Sequence, residues 1–335
     1  MLRAIATART SVYLEVYAFF LDEVGKQFVA ALTEARQRSV EVSVIIDGLG
    51  SRGHSGEVLK VLTDIGCAAT IYHPMLSAFL GRLRRNHRKI LLIDEEVAFV
   101  GGINIGAPYH GKSVSDYADL AVEIRGPACA DLALELGGGR APRAAPIRFF
   151  LSRRSGSFRL RKRYLKAIAS AKQRMLIAHG YFLPDRRMLR SITAAARRGV
   201  AVSLLVAGRS DIPLVQAATS SYYIRLLRAG VRIYEWQTSV LHSKVATIDD
   251  GELLIGSFNL DPFSLFNLEI LVEMDDPAAT LAAGQWISDR IALGRPVGLD
   301  ELVSSSLRKQ LRRWIGHLGA RLAHAVRRLL TSRAS

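Results

Sequence analysis

A histidine and a lysine stand one residue apart at two places in the chain, His87 with Lys89 and His242 with Lys244. An imidazole, with an unperturbed pKa of about 6.5, can serve as nucleophile, base or acid near neutral pH. An ammonium is a compact fixed charge suited to a phosphate oxygen. In an extended segment residues i and i+2 project from one face, so each pair presents its two groups together. The spacing then continues identically at both places: an Asp five after the Lys (Asp94, Asp249), a Gly seven after that (Gly101, Gly256) and an Asn three after that (Asn104, Asn259). Two histidines, two lysines and two asparagines around one centre would suit displacement at an anionic tetrahedral phosphorus. One imidazole attacks while the other protonates the leaving alkoxide and then deprotonates the incoming alcohol or water. Asn104, Ser257 and Asn259, with the lysines, are expected to stabilise charge on the equatorial oxygens. Asp94 and Asp249 complete the catalytic set and read as strand anchors more than as proton carriers. Asp119 and Glu269, matched acids in "DLAVEIRGP" and "EILVEMDDP", are candidates to fix the histidine tautomers. No metal and no cofactor is implied.

Such pairs need a scaffold that is itself duplicated, and the chain supplies one. "SVYLEVYAFFLDE" followed by "ALTEARQRSVEVSVIIDG" runs beside "QRMLIAHGYFLPD" followed by "SITAAARRGVAVSLLVAG". Each reads as a β-rich run with an aromatic end, a helix with small apolar residues at helical spacing, a basic turn and a second β-rich run. The helix-to-strand step repeats in "LKVLTDIGCAATIYHP" and "IRLLRAGVRIYEW". Alternation of this kind predicts an α/β fold, two tandem halves related by a pseudo-twofold, each a mixed β-sheet flanked by helices. The halves are placed at residues 1–136 and 147–280, with a Gly/Pro/Ala-rich linker at 137–146 and a basic helical extension at 281–335. The second half opens with a strand, "IRFFLS", that the first lacks, so an N-terminal strand is expected to be missing from the first half. Glu15 and Tyr17 fall at the margin of the site, where an alternating β-run explains them nearly as well. The other histidines, His179 among them, lack a matched constellation and read as ordinary.

The 335 residues, 49% hydrophobic, suffice for two domains or one double-layered one, and carry a formal net charge of +16. Residues 140–166 hold ten Lys/Arg and no acid, and residues from Leu302 on hold eight and no acid, together more than the whole excess. A polyanionic partner follows, nucleic acid or an anionic membrane surface. From Leu307 to Leu330 apolar residues recur at three- and four-residue steps among arginines, as in a basic amphipathic helix. Each such charge near an anionic leaflet contributes about 1 kcal/mol. A solvated packing helix is the rival reading there. The apolar and basic stretch 74–86 is a second candidate lipid contact or a lid. Two cysteines without ligand spacing argue against a disulfide scaffold or a zinc site and fit a reducing compartment. No apolar run reaches the roughly 18 residues that a membrane span needs.

"HRKILLID…GGIN" and "HSKVATID…GSFN" resemble the paired HxKxxxxD motifs of the phospholipase D superfamily. Within it, "LEVYAFFLDEVGKQFVAAL", "VIIDGLGSRG", "HGYFLPD" and "NLDPFSLFNLE" are most similar to bacterial cardiolipin synthases, of the type without N-terminal transmembrane helices. The resemblance implies one metal-independent site built from both motifs, a covalent phosphohistidine, and motif aspartates that are mainly structural. It implies transfer of a phosphatidyl group from one phosphatidylglycerol to another, with release of glycerol, on the cytoplasmic face of the bacterial inner membrane. His87 is taken as the nucleophile and His242 as the acid/base, an order the near-symmetry leaves reversible. The rivals are a hydrolase of the same superfamily, acting on phospholipid or nucleic acid, and a non-catalytic membrane adaptor. Leu and Trp interleaved with the basic residues favour lipid, because phosphate contacts to DNA need no apolar face.

Overall fold

The computed structural model describes residues 1–51, 53–74, 84–113, 115–142, 145–153, 156–210, 212–303 and 319. The candidate lipid contact at 74–86 and the basic helix expected beyond Leu307 therefore lie, except for residues 74, 84–86 and 319, outside the described residues. Two compact units make up the chain. The first comprises Met1–Ser157 with Ile255–Phe258 and Phe266–Glu273; the second comprises Phe158–Leu254, Asn259–Leu265 and the described residues from Met274 on. The architecture is mixed α/β, two sheets flanked by helices.

In the first unit, after helix α1 (Leu2–Ala6), six strands form a sheet in the order β3-β2-β1-β4-β5-β6. Strands β1 (Ser11–Val16), β2 (Glu41–Asp47) and β3 (Ala68–Tyr72) are parallel, joined by α2 (Glu23–Gln37) and α3 (Ser55–Asp64). Strands β4 (Ile90–Ile93), β5 (Val97–Gly101) and β6 (Ala121–Arg125) are antiparallel neighbours on the other side of β1. In β2, Val42, Val44 and Ile46 are buried while Glu41 and Ser43 are exposed, the period-2 pattern of a strand. Asp22 caps α2 by accepting from the Val24 and Gly25 N–H groups, and Phe28, Leu32 and Ala35, at helical spacing, face the core. After α4 (Ala128–Leu136), β7 (Ile147–Leu151) completes the unit's main stretch of chain.

The second unit repeats the plan. Following α5 (Phe158–Ser170), the parallel strands β8 (Arg174–His179), β9 (Ala201–Ala207) and β10 (Arg232–Trp236) are linked by α6 (Arg186–Arg197), α7 (Pro213–Ser220) and α8 (Tyr223–Leu227). Strand β11 (Lys244–Ile248) runs antiparallel to β8 and turns into β12 (Glu252–Gly256). Asp185 caps α6 as Asp22 caps α2. The ladders put the repeat one residue out of the register that sets Ser11 beside Gln173: Ser11 opens β1 against Glu41, and its counterpart is Arg174, which opens β8 against Ala201. Strand β13 (Ile270–Asp275) contributes Ile270–Glu273 to the first unit, where it lies beside β7. Helices α9 (Pro277–Leu293) and α10 (Leu299–Val303), with the two-residue β14 (Arg295–Pro296) between them, end the described elements.

Candidate active site

His87 and Lys89 sit in the stretch leading into β4. The Lys89 ammonium donates to the His87 carbonyl at 2.7 Å and lies 5.0 Å from the Tyr17 ring centre, while the same ring meets the His87 imidazole edge-on at 4.9 Å. His242 and Lys244 lead into β11 in the same way. Lys244 Nζ donates to the His242 carbonyl and lies 5.7 Å from the Tyr181 ring centre, and that ring meets His242 edge-on at 5.9 Å. All four side chains belong to buried residues. A buried ammonium is tolerated only with acceptors in reach, which the histidine carbonyl and the aromatic face supply. The sequence offers Tyr17 only as a residue at the margin of the site and gives no signal for Tyr181. Structurally Tyr17 corresponds to Gly180 and Tyr181 to Ala18, so no alignment of the halves pairs the two tyrosines.

The partner of His87 comes from far along the chain. Its Nδ1 lies 3.1 Å from Oε2 of Glu269, a carboxylate with no solvent exposure. Oε2 also accepts from the Ser257 hydroxyl at 2.5 Å, and Ser257 in turn accepts from the Ile270 N–H. Ser152 clasps the Glu269 backbone, its N–H bonding the carbonyl at 2.9 Å and its hydroxyl accepting the Glu269 N–H at 2.5 Å. The next residues are zipped as well, with His87 N–H to the Leu268 carbonyl and Leu268 N–H to the Arg85 carbonyl, each at 2.8 Å. A carboxylate on Nδ1 selects the tautomer that places the lone pair of a nucleophile on Nε2.

Of the residues expected at phosphate oxygens, Ser257 thus supports Glu269. Asn104 accepts from the Ala18 N–H and donates to Tyr109 Oη at 2.8 Å. Asn259 is buried, its backbone N–H donates to Ser264 Oγ, and its Oδ1 has no hydrogen-bond partner among the described residues. Asp119 Oδ1 accepts from the Leu120 N–H.

Asp94 and Asp249 stand at the far ends of β4 and β11 from the lysines. Asp94 accepts from the N–H groups of Arg9, Thr10 and Ser11, and Asp249 from those of Lys172, Gln173 and Arg174. Each ties the turn after the motif strand to the start of the central parallel strand. Burial acts to raise both carboxyls, but the backbone donors outweigh it and hold them below the ordinary range. A lowered carboxyl contributes stability above its unfolded pKa and loses it as pH falls through the folded one. Asp94→Ala is therefore expected to cost about 1–2 kcal/mol near neutral pH, as loss of a capping carboxylate does. In thermal melts the gap to the wild type should narrow below about pH 4. The motif glycines have a steric cause: a Cβ at Gly101 would lie 2.2 Å from the Leu120 carbonyl oxygen, and one at Gly256 2.1 Å from that of Ile270.

The two histidines have different surroundings. Beside His87, Asn86 donates from Nδ2 to Glu15 at 2.6 Å and from its backbone N–H to Asp47 at 2.8 Å. Arg88 reaches Glu15 and the Ser152 carbonyl, and Tyr13 donates to Glu15. Burial and the Glu15 charge keep Tyr13 protonated, and burial raises Asp47 against the donors on it. The counterparts of Glu15, Asn86 and Arg88 are Ala178, Leu241 and Ser243. The second half instead has His179, in register with Lys244 and 3.2 Å by Nε2 from the Tyr164 hydroxyl. Burial first, and then the Lys244 charge, push His179 down to about 3, so it is neutral at any working pH.

A family model described as "Cardiolipin synthase, PLD-like domain" matches residues 1–133 and 164–290. The chain belongs to this family. Proteins named cardiolipin synthase B from Salmonella typhi and Escherichia coli K12 are 38% and 36% identical to it over 297 and 305 residues. Those matches cover 79% and 82% of this chain and 71% and 73% of the relatives. A solved structure of phosphatidylserine synthase from Haemophilus influenzae Rd KW20 superposes with a TM-score of 0.73 over 98% of this chain and 91% of that one, at 14% identity. That likeness establishes the fold. As a cardiolipin synthase family member, the chain carries both HxKxxxxD motifs complete, and each lies inside a matched segment.

Proposed function

We propose that the protein is a phosphatidyl transferase of the phospholipase D superfamily, making cardiolipin from phosphatidylglycerol and a second phosphatidyl lipid through a phosphohistidine. The reading rests above all on the 38% identity to a cardiolipin synthase B across most of the chain. In the first step Nε2 of His87 forms a bond to the donor's phosphorus, and the bond to glycerol breaks with its electron pair leaving on oxygen. His242 gives that oxygen its proton. In the second step His242 removes the proton from a glycerol hydroxyl of the acceptor lipid, whose oxygen takes the phosphorus from His87. Lys89, Lys244 and Asn259 stabilise the equatorial oxygens, and Asn104 and Ser257 hold the surrounding chain in place. Glu269 supports the His87 imidazolium, and the duplication gives Asp119 the corresponding task for His242. The halves at 1–136 and 147–280, with a linker at 137–146 and an extension from 281, are retained as the evolutionary division.

Hydrolysis of phospholipid or nucleic acid by the same groups is the less favoured reading. Among the described residues no helix is long and apolar enough to cross a membrane. We place the enzyme peripherally on the cytoplasmic side of the bacterial inner membrane, where its lipid substrates are met. Purified protein supplied with phosphatidylglycerol vesicles is expected to yield cardiolipin and free glycerol, resolved by lipid chromatography. Phosphatidic acid without cardiolipin, or inert lipid with cleaved DNA, would overturn the assignment.

A further inference from the structure

Within the second unit, two segments leave the same end of the sheet and both show large apolar side chains to solvent. Strand β8 ends at His179, and Tyr181 two residues later is the ring against His242. Strand β9 is parallel to it, with Val206 in register with His179, so the residues after β9 emerge beside Tyr181. There Ile212 is 45% and Leu214 59% exposed. Their helix, α7, is fastened back onto the Tyr181 segment: Thr219 Oγ1 donates to the Phe182 carbonyl at 3.0 Å, and Ala218 packs on Leu183. The second segment follows Asn259. Leu183 N–H bonds the Leu260 carbonyl at 2.8 Å, so this loop too is pinned to 182–183. Asp261 then accepts from the Phe263 and Ser264 N–H groups, a turn that holds Phe263 outward, 54% exposed.

Single exposed apolar residues need no explanation, and Leu281 and Leu293 on α9 are of that kind. Three on two segments, each fastened to residues 182–183 next to the histidine's own tyrosine, are another matter. The charge at this end is basic. Arg186 and Arg187 at the start of α6 and Arg209 after β9 are exposed. The nearby acids are engaged, Asp185 by Arg161 and the α6 N–H groups and Asp261 by its turn; Asp211 is outside the described residues. Apolar tips with a cationic collar match the boundary between headgroups and acyl chains of an anionic bilayer.

We propose that this end of the second unit is a bilayer-inserting surface. Ile212, Leu214 and Phe263 enter the acyl region while Arg186, Arg187 and Arg209 rest among anionic headgroups, bringing Tyr181 and the His242 it packs on to the depth of a phospholipid phosphate. The proposal rests on the reading of a phospholipid substrate and adds the surface by which that substrate is met. A DNA-binding role would use the arginines and leave the apolar tips without effect.

The test separates docking from chemistry. The triple variant I212S/L214S/F263S is expected to lose at least tenfold in partition onto phosphatidylglycerol vesicles while turning over dispersed short-chain phosphatidylglycerol within twofold of the wild type. Cys67 and Cys129 are buried, so an F263C variant can be labelled selectively with an environment-sensitive fluorophore. Its emission should shift to the blue with phosphatidylglycerol vesicles and far less with phosphatidylcholine vesicles. Unchanged partition of the triple variant, or a label that stays in water on bound vesicles, would overturn the surface and leave the catalytic reading standing. A label that enters vesicles in a protein inert on dispersed lipid would leave the surface standing and remove the catalytic reading.

Discussion

Turnover by a His87→Ala variant is expected to fall by roughly four to six orders of magnitude, the scale on which loss of a covalent nucleophile is felt. The initial rate of glycerol release from phosphatidylglycerol is the readout. Of the groups beside it, the Tyr17 ring packs T-shaped on the imidazole at 4.9 Å and the Lys89 ammonium donates to the His87 carbonyl. His242→Ala should fall nearly as far, because glycerol alkoxide is a poor leaving group without a proton and the acceptor hydroxyl a poor nucleophile with one. The double variant should be hardly worse than either single one, since groups that act in one sequence of steps are not additive. Each variant keeps its strands, because the imidazoles add no hydrogen bond to a ladder, so circular dichroism should be unchanged.

Glu269→Gln is expected to lower kcat by roughly two to four orders of magnitude with KM nearly unaltered, in steady-state kinetics on dispersed phosphatidylglycerol. Glutamine fills the same space and can still meet His87 Nδ1 and the Ser257 hydroxyl, so packing survives. The negative charge that supports the imidazolium is lost, and the amide can turn its NH2 toward Nδ1 and select the wrong tautomer. Glu269 is a positioning residue, buried and clasped by Ser152 and Ser257, so the effect belongs in kcat. Ser257→Ala should show a smaller fall in the same direction, about 10-fold to 100-fold, as loss of an outer hydrogen bond does.

Much of this could be read from the chain because short-range rules governed it. The alternation in β2 and the helical spacing of Phe28, Leu32 and Ala35 are local signals. The duplicated His, Lys, Asp, Gly and Asn became legible once the halves were laid side by side. What could not be read depends on long-range folding. Glu269 is legible as a histidine partner, but that it serves His87, 182 positions away, follows only because residues 266–273, part of the second repeat, fold into the first unit. Tyr17 and Tyr181 do the same task from non-equivalent positions, which hides them from any alignment of the halves. The polar set of Glu15, Asn86 and Arg88 is scattered along the sequence, and its replacement by Ala178, Leu241 and Ser243 carries no motif. His179 looked ordinary in sequence, and the structure shows it buried and neutral beside Lys244.

Between donor and acceptor the phosphatidyl group rests on a histidine. The stereochemical course at phosphorus tests this most directly, using a phosphorothioate analogue of phosphatidylglycerol of one configuration and assigning the configuration of the cardiolipin analogue formed. Two successive in-line displacements predict overall retention. Inversion would mean direct transfer between the lipids, with no phosphohistidine.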